Sequence, residues 1–160
     1  MNIDIALIVN PKAGNGLGLK DWPIISQKLT EQGFNFKQFV TESKYHAIEL
    51  AKNAVKEGFK VIISVGGDGT LHEVVNGVLT QDYFPVTDIA IGVIPVGSGN
   101  DWGRAYNYPS GYDAVIELIK RANTKIQDVA KVTYSSGKEK LSRYMMNIGG
   151  LGFDAAVCRE

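Results

Sequence analysis

The sequence has a single cysteine, Cys158, and only two histidines among its 160 residues. One thiol cannot form an intrachain disulfide, and no group of cysteines and histidines has the spacing of a zinc site. Cys158 is therefore expected to be inert, and a reducing cytoplasm is the expected compartment.

The sequence also lacks an excess of positive or negative charge, and it has no long apolar run. Lys and Arg number 17, as do Asp and Glu, so the formal net charge is zero and a nucleic-acid partner is not expected. No apolar run approaches the roughly 20 residues of a transmembrane helix. The first residues have no basic segment typical of a signal peptide. We therefore expect a cytoplasmic protein that contacts membranes only at their periphery.

Short apolar runs alternate along the chain with segments of helical periodicity. The predicted strands are 3–9, 34–40, 60–65 and 89–93. The predicted helices begin after a loop containing glycines 14, 16 and 18, near Tyr45 and at 68–70, and a last one covers 112–121. This alternation predicts an α/β fold, a three-layer, doubly wound and mostly parallel sheet.

The pattern changes near residue 123. Residues 129–134 and 141–148 flank the turn 135–137 and are typical of antiparallel strands. We predict an α/β domain over 1–123 and the beginning of a β-rich second domain over 124–160.

Three glycine-containing loops follow predicted strands, at 10–14, 66–70 and 95–101. The carboxyl ends of parallel strands share one edge of the sheet, where open α/β folds bind ligands, so the loops should converge. Glycines admit an anion close to backbone N–H groups, and a following helix adds partial positive charge, which suits a polyphosphate. Neither the P-loop spacing nor the dinucleotide spacing of glycines occurs.

Asp68 stands in the second loop, where a carboxylate would repel a phosphate unless it organises a divalent cation or handles a proton. That favours magnesium-assisted phosphoryl transfer. The structural alternative is a tight turn in which Asp68 caps the helix that follows it.

The three loops together resemble the diacylglycerol kinase catalytic domain family, which includes bacterial lipid kinases and sphingosine kinases. The resemblance rests on Asn-Pro-Lys-Ala-Gly at 10–14, Gly-Gly-Asp-Gly-Thr at 66–70 with Glu73, and Pro-Val-Gly-Ser-Gly-Asn-Asp at 95–101. Residues 149–155 resemble the start of that family's second domain. The family usually has Thr at the position of Ser98, and both residues provide a hydroxyl.

The resemblance implies a fold like that of phosphofructokinases and NAD kinases, with ATP and Mg²⁺ as cofactors. Asp68 would be the catalytic residue and would contact magnesium, directly or through water. The implied nucleotide site consists of Asn10, Pro11, Lys12, Ala13, Gly14, Thr41, Gly66, Gly67, Asp68, Gly69, Thr70, Leu71, His72, Glu73, Gly97, Ser98, Asn100 and Asp101. The family's general base comes from its second domain, beyond residue 160.

Four further side chains have competing interpretations. His46 and His72 lie in helical segments without a partner at triad or metal spacing, which favours structural roles. Glu73 follows Thr70 by three residues, so the two could form a capping box as well as contribute to the site. Arg104 could contact a phosphate or a lipid headgroup, or be a solvated surface residue.

The leading hypothesis is an ATP-dependent lipid kinase whose partner is a lipid at the membrane surface, with a role in phospholipid biosynthesis. A homodimer is left open. One alternative is a kinase for a soluble substrate, since NAD kinases and phosphofructokinases resemble the family at 66–69. Another is a nucleotide-binding module without turnover of its own.

Overall fold

A computed structural model of the protein describes residues 4–97, 99–137 and 139–147. The chain divides into two compact units after Gln127. None of the helices in the described ranges is long and apolar enough to cross a membrane.

The first unit is an α/β structure in which strands and helices alternate. Its elements are β1 (Asp4–Val9), α1 (Ala13–Glu31), β2 (Asn35–Val40), α2 (His46–Lys56), β3 (Val61–Gly66), α3 (Asp68–Leu79), β4 (Ala90–Pro95), α4 (Asp101–Ala105) and α5 (Tyr112–Lys120), with a 3₁₀ turn at Val86–Asp88 before β4. The strands pair in the order β2-β1-β3-β4, and every pairing is parallel. The predicted doubly wound α/β fold is confirmed.

Apolar side chains from the sheet form two buried layers. On one face, Leu7 and Ile63 pack with Ile25 of α1 and Ile116 of α5. On the other face, the sheet packs against α2 and α3 through residues that include Ala51 and Val74. Helices therefore cover both faces, as burial of β1 and β3 on two sides requires.

Glycines end two of the helices. Gly33 and Gly58 have φ values of 79° and 97°. The next residue donates its N–H back into the helix in each case, from Phe34 to Leu29 O at 3.1 Å and from Phe59 to Ala54 O at 3.1 Å. This is the Schellman arrangement, in which a left-handed glycine stops the helix.

The prediction for the first glycine loop was partly wrong. Helical structure is assigned from Ala13, with left-handed backbone at Gly14, Asn15 and Gly16. Gly18 lies in the helix rather than in a loop, and a Cβ there would approach Asn10 O to 2.0 Å. This glycine permits α1 to lie directly against the end of β1.

The second unit contains β5 (Ala130–Ser136) and β6 (Glu139–Met145), which pair antiparallel. The predicted antiparallel hairpin is confirmed, but its turn lies later than predicted, because Ser135 and Ser136 belong to β5 and pair with Lys140 and Glu139. The interpretation of residues 1–123 and 124–160 as two functional domains stays a prediction. Cys158 and the stretch 149–155 lie outside the described residues.

Candidate functional site

The three glycine loops meet at the carboxyl edge of the sheet, as predicted. Asn10 Nδ2, after β1, donates to Thr70 Oγ1, after β3, at 2.9 Å. The first loop also approaches the third so closely that a Cβ added to Gly14 would lie 2.9 Å from the Cα of Gly97. Parallel pairing of β1, β3 and β4 produces this convergence, because their ends share one edge.

A pocket of about 380 Å³ opens at this edge. Its volume lies in the range of about 300 to 1,000 Å³ typical of small-molecule sites. It is lined by residues after β1, after β2 and at the start of α3, namely Asn10, Lys12, Ala13, Gly14, Thr41, Glu42, Ser43, Lys44, Ala47, Gly67, Gly69, Thr70 and Glu73.

Half of the predicted site residues line this pocket. Those that are not among its lining residues are Pro11, Gly66, Asp68, Leu71, His72, Gly97, Asn100 and Asp101. The side chain of Leu71 is buried, with 2% of its surface exposed. Ser98 lies outside the described residues.

Four lining residues were missed by the sequence analysis: Glu42, Ser43, Lys44 and Ala47. Glu42, Ser43 and Lys44 belong to the connection between β2 and α2, which contains no glycine, and Ala47 lies in the first turn of α2. The strand order supplies the signal, because β2 pairs with β1 and its end therefore lies beside Asn10. Thr41 N donates to Val9 O at 2.9 Å and extends this pairing into the pocket.

The Asp68 carboxylate joins the second loop to the third. Its Oδ2 accepts the N–H of Asp101 at 2.9 Å, and its Oδ1 accepts the N–H of Trp102 at 3.1 Å. Asp68 therefore holds the beginning of α4, and the N-cap of its own helix α3 is Gly67. The interpretation of Asp68 as a cap of its own helix is wrong.

The Glu73 carboxylate also reaches a different helix. Its two oxygens accept the N–H groups of Tyr45 at 3.0 Å and Ala47 at 3.2 Å, at the beginning of α2. The expected capping box with Thr70 is wrong, because α3 already begins at Asp68 and the Thr70 hydroxyl is bonded to Asn10.

The glycines of the site differ in what the fold demands of them. A Cβ on Gly66 would lie 2.5 Å from Thr70 Oγ1, so the folded chain requires glycine there. At Gly67 the nearest atom would be 3.7 Å away, and at Gly69 nothing lies within 4 Å. Neither has a positive φ. The fold alone therefore does not explain glycine at 67 and 69, which both line the pocket.

The two histidines have local hydrogen bonds. His46 Nδ1 accepts the N–H of Glu42 at 3.2 Å, and the carbonyl of His72 accepts a bond from Asn76 Nδ2 at 2.9 Å. Arg104 forms an ion pair with Asp101 at 2.8 Å on the exposed surface of α4. Each of these contacts fits the structural interpretation.

The side chains available as metal ligands indicate what kind of magnesium site this edge of the sheet could form. Within the described ranges, no group of three or more His, Cys, Asp or Glu side chains could hold a metal by itself. Mg²⁺ commonly binds through one or two carboxylates together with substrate phosphates and water. The described residues therefore suit a site of that kind, in which substrate phosphates and water complete the ligand set, and do not suit an all-protein cage.

Comparisons with known proteins agree on one family. The family model described as the diacylglycerol kinase catalytic domain matches residues 4–132. The chain is 36% identical over 158 residues to YtlR of Bacillus subtilis, whose name assigns it provisionally to the lipid kinases. It is 34% identical over 146 residues to a Staphylococcus haemolyticus protein named diacylglycerol kinase. A crystal structure of a diacylglycerol kinase from Bacillus anthracis matches with a TM-score of 0.66 and 29% identity.

The chain spans less than half of these proteins. The matches cover 96% and 91% of this chain but 49% of the B. subtilis protein and 41% of the S. haemolyticus protein. The structural match covers 79% of this chain and 42% of the B. anthracis chain.

Proposed function

The chain belongs to the diacylglycerol kinase catalytic domain family, and we propose on that basis that its pocket binds ATP with Mg²⁺. The whole protein would transfer the γ-phosphoryl group to a lipid hydroxyl at a membrane surface, with this chain as its nucleotide-binding part. The relatives' names support a kinase acting on a lipid.

The observation that carries the proposal is the pair Gly67 and Gly69. Space for a Cβ is open at both, so their glycines serve something other than packing. Bare backbone N–H groups at the start of a helix bind phosphate because no side chain blocks the anion and the helix end carries partial positive charge. The 12-residue helix α3 begins there.

Two lysines of the pocket add positive charge. Lys12 lies in the first loop, where its Nζ is 3.5 Å from the carbonyl oxygen of Glu42. Lys44 lines the pocket from the β2–α2 connection. Ammonium groups and backbone N–H groups together would neutralise the negative charge of a triphosphate, which is the main task of a phosphoryl-transfer site.

Asp68 would serve this reaction in two ways. Its hydrogen bonds to the N–H groups of Asp101 and Trp102 hold the third loop against the second. A carboxylate is a ligand that Mg²⁺ accepts directly or through water, so Asp68 would also contact magnesium. Bound magnesium would neutralise charge on the transferring phosphoryl group. A general base is expected from the part of the relatives that this chain does not cover.

Phosphoryl transfer tests the proposal directly. The intact protein should transfer label from [γ-³²P]ATP to diacylglycerol in phospholipid vesicles and not to NAD or sugar phosphates. Asp68→Asn keeps the size of the side chain but makes it neutral and replaces one acceptor oxygen by an NH₂ donor, so we expect the rate to fall at least about 100-fold.

Circular dichroism of the Asp68→Asn variant should show an intact fold. Near-normal transfer by that variant would refute the role of Asp68. Transfer to NAD or a sugar phosphate would favour the soluble-substrate alternative. Binding of ATP without transfer to any acceptor by the intact protein would leave only a nucleotide-binding module.

A further inference from the structure

Glu73 raises a problem of charge for a pocket that receives a polyphosphate. Its carboxylate lines the pocket, where a free negative charge would repel the ligand. Both of its oxygens, however, accept backbone N–H groups at the beginning of α2, from Tyr45 at 3.0 Å and Ala47 at 3.2 Å. The 11-residue helix α2 adds a positive helix end at the same point. The beginning of α2 therefore stabilises the negative charge of Glu73, which weakens its repulsion of a ligand.

The backbone that Glu73 holds is strained. Tyr45 is the N-cap of α2 and has φ 68° and ψ 0°, in the left-handed region. An aromatic residue is unfavourable in this region, and such strain persists only where surrounding contacts impose it. The bond from Tyr45 N to Glu73 is a contact of this kind, because it fixes the peptide that enters the strained residue.

The segment 41–47, which Glu73 holds, forms one wall of the pocket. Thr41, Glu42, Ser43 and Lys44 precede the strained residue, and Ala47 follows it. A change in the backbone at Tyr45 would move Lys44 first, because the two residues are adjacent. Glu73 can therefore influence a ligand without touching it.

We propose that Glu73 is a positioning residue, which fixes the β2–α2 connection so that Lys44 and its neighbours face the nucleotide. The inference rests on the proposed function, since it assumes that ATP is the ligand. It requires a carboxylate in particular, because two acceptor oxygens are needed. A glutamine can satisfy one N–H group, but its own NH₂ group opposes the other.

The variant Glu73→Gln separates positioning from simple charge by the sign of its effect. If the negative charge mattered only through repulsion, the neutral variant would bind ATP more tightly. If Glu73 positions the wall, the variant binds more weakly, by roughly tenfold, which corresponds to the loss of about one hydrogen bond to a charged group. Calorimetric titration with Mg·ATP measures the difference.

Gln81→Ala is the matched control. Gln81 is buried at the other end of α3, where its Oε1 accepts the N–H groups of Tyr83 at 2.7 Å and Phe84 at 3.0 Å. Its removal costs these two contacts and the bond from its Nε2 to Phe84 O at 2.7 Å, all outside the pocket-lining set. This variant should lose stability and keep the ATP affinity of the unmodified protein.

Amide hydrogen exchange supplies a readout that does not depend on nucleotide. At least one of the N–H groups of Tyr45 and Ala47 should lose protection in Glu73→Gln, and both should keep it in Gln81→Ala. In turnover assays of the intact protein, Glu73→Gln should raise KM for ATP more than it lowers kcat.

Each result has one meaning. Unchanged or tighter ATP binding by Glu73→Gln overturns the positioning role, as does unchanged protection of the two N–H groups. If the unmodified protein fails to bind ATP, the proposed function itself is wrong. If Gln81→Ala weakened ATP binding as much as Glu73→Gln does, the effect at Glu73 would be explained by general destabilisation, and the positioning role would be wrong.

Discussion

Individual residues of the glycine loops have different tasks that their identity alone does not reveal. Gly14, with φ 59°, is close enough to Gly97 to exclude a side chain, whereas Gly69 has open space around it. Only the approach of distant backbone segments distinguishes the two. The sequence therefore predicted the convergence of the glycine loops, but it did not separate the glycines that packing requires from those with open space around them.

The hydrogen-bond partners of the two carboxylates were not predictable from local sequence either. Asp68 and Glu73 were predicted to serve the site, which stays a prediction, and both make backbone hydrogen bonds far along the chain. Local spacing suggested that each would cap α3. The partners are instead α4 and α2, which approach only when the sheet has formed.

Ser64 provides a prediction at the residue scale. It lies in the middle of the sheet with no exposed surface, and its hydroxyl has no hydrogen-bond partner in the described part of the chain. A buried hydroxyl without a partner costs about 1 to 3 kcal/mol, which offsets the contacts that Oγ makes. Ser64→Ala should therefore leave the free energy of unfolding in urea unchanged or raise it by about 1 kcal/mol. A loss of more than about 1 kcal/mol would contradict this.

Among the elements, strands were predicted more accurately than connections. The runs at 60–65 and 89–93 became β3 and β4 with shifts of one or two residues, because continuous apolar runs fit strands buried on both faces. Helix α4 was missed. It is five residues long, follows a glycine-rich segment and is capped by Asp68 from 33 positions earlier, so its own sequence has little helical signal.

The contact between α2 and α3 depends on small residues. A Cβ on Gly77 would lie 2.4 Å from Ile48 O and 2.7 Å from Ala51 Cβ. Gly77→Ala should therefore push the helices apart and lower the free energy of unfolding by about 1 to 3 kcal/mol, although alanine is the better helix former. Urea unfolding measures this change.

Asn53→Ala is the control for the helix contact, since Asn53 is an exposed residue of α2. It should change the free energy of unfolding by less than about 0.5 kcal/mol. Equal stability of Gly77→Ala and the unmodified protein would show that the two helices do not approach as closely as described.

At the scale of the whole molecule, one hydrogen bond links its pH dependence to helix packing. Tyr112 of α5 donates its hydroxyl to Asp21 Oδ2 of α1 at 2.6 Å. Burial, and then the bond to the Asp21 carboxylate, raise the pKa of Tyr112 to about 12 from its ordinary value of 10.0. This stabilisation is complete below pH 10 and is lost as the pH rises through 12.

Tyr112→Phe should therefore be less stable at neutral pH and show a shallower decline in stability between pH 10 and 12. Thermal unfolding across that range measures both effects. Tyr134→Phe changes an exposed tyrosine and should keep the steep decline. An identical slope for Tyr112→Phe and the unmodified protein would contradict the assignment of this bond.

The proposed ATP site requires that Gly69 is a glycine because a bound phosphate needs the space beside it. Its Cβ position is open, and alanine favours a helix by about 1 kcal/mol, so Gly69→Ala should fold at least as stably as the unmodified protein. Calorimetric titration with Mg·ATP should nevertheless show at least tenfold weaker binding, because the added methyl group occupies the space of a phosphate oxygen. Unchanged affinity in a stably folded Gly69→Ala protein would contradict the claim that ATP binds there.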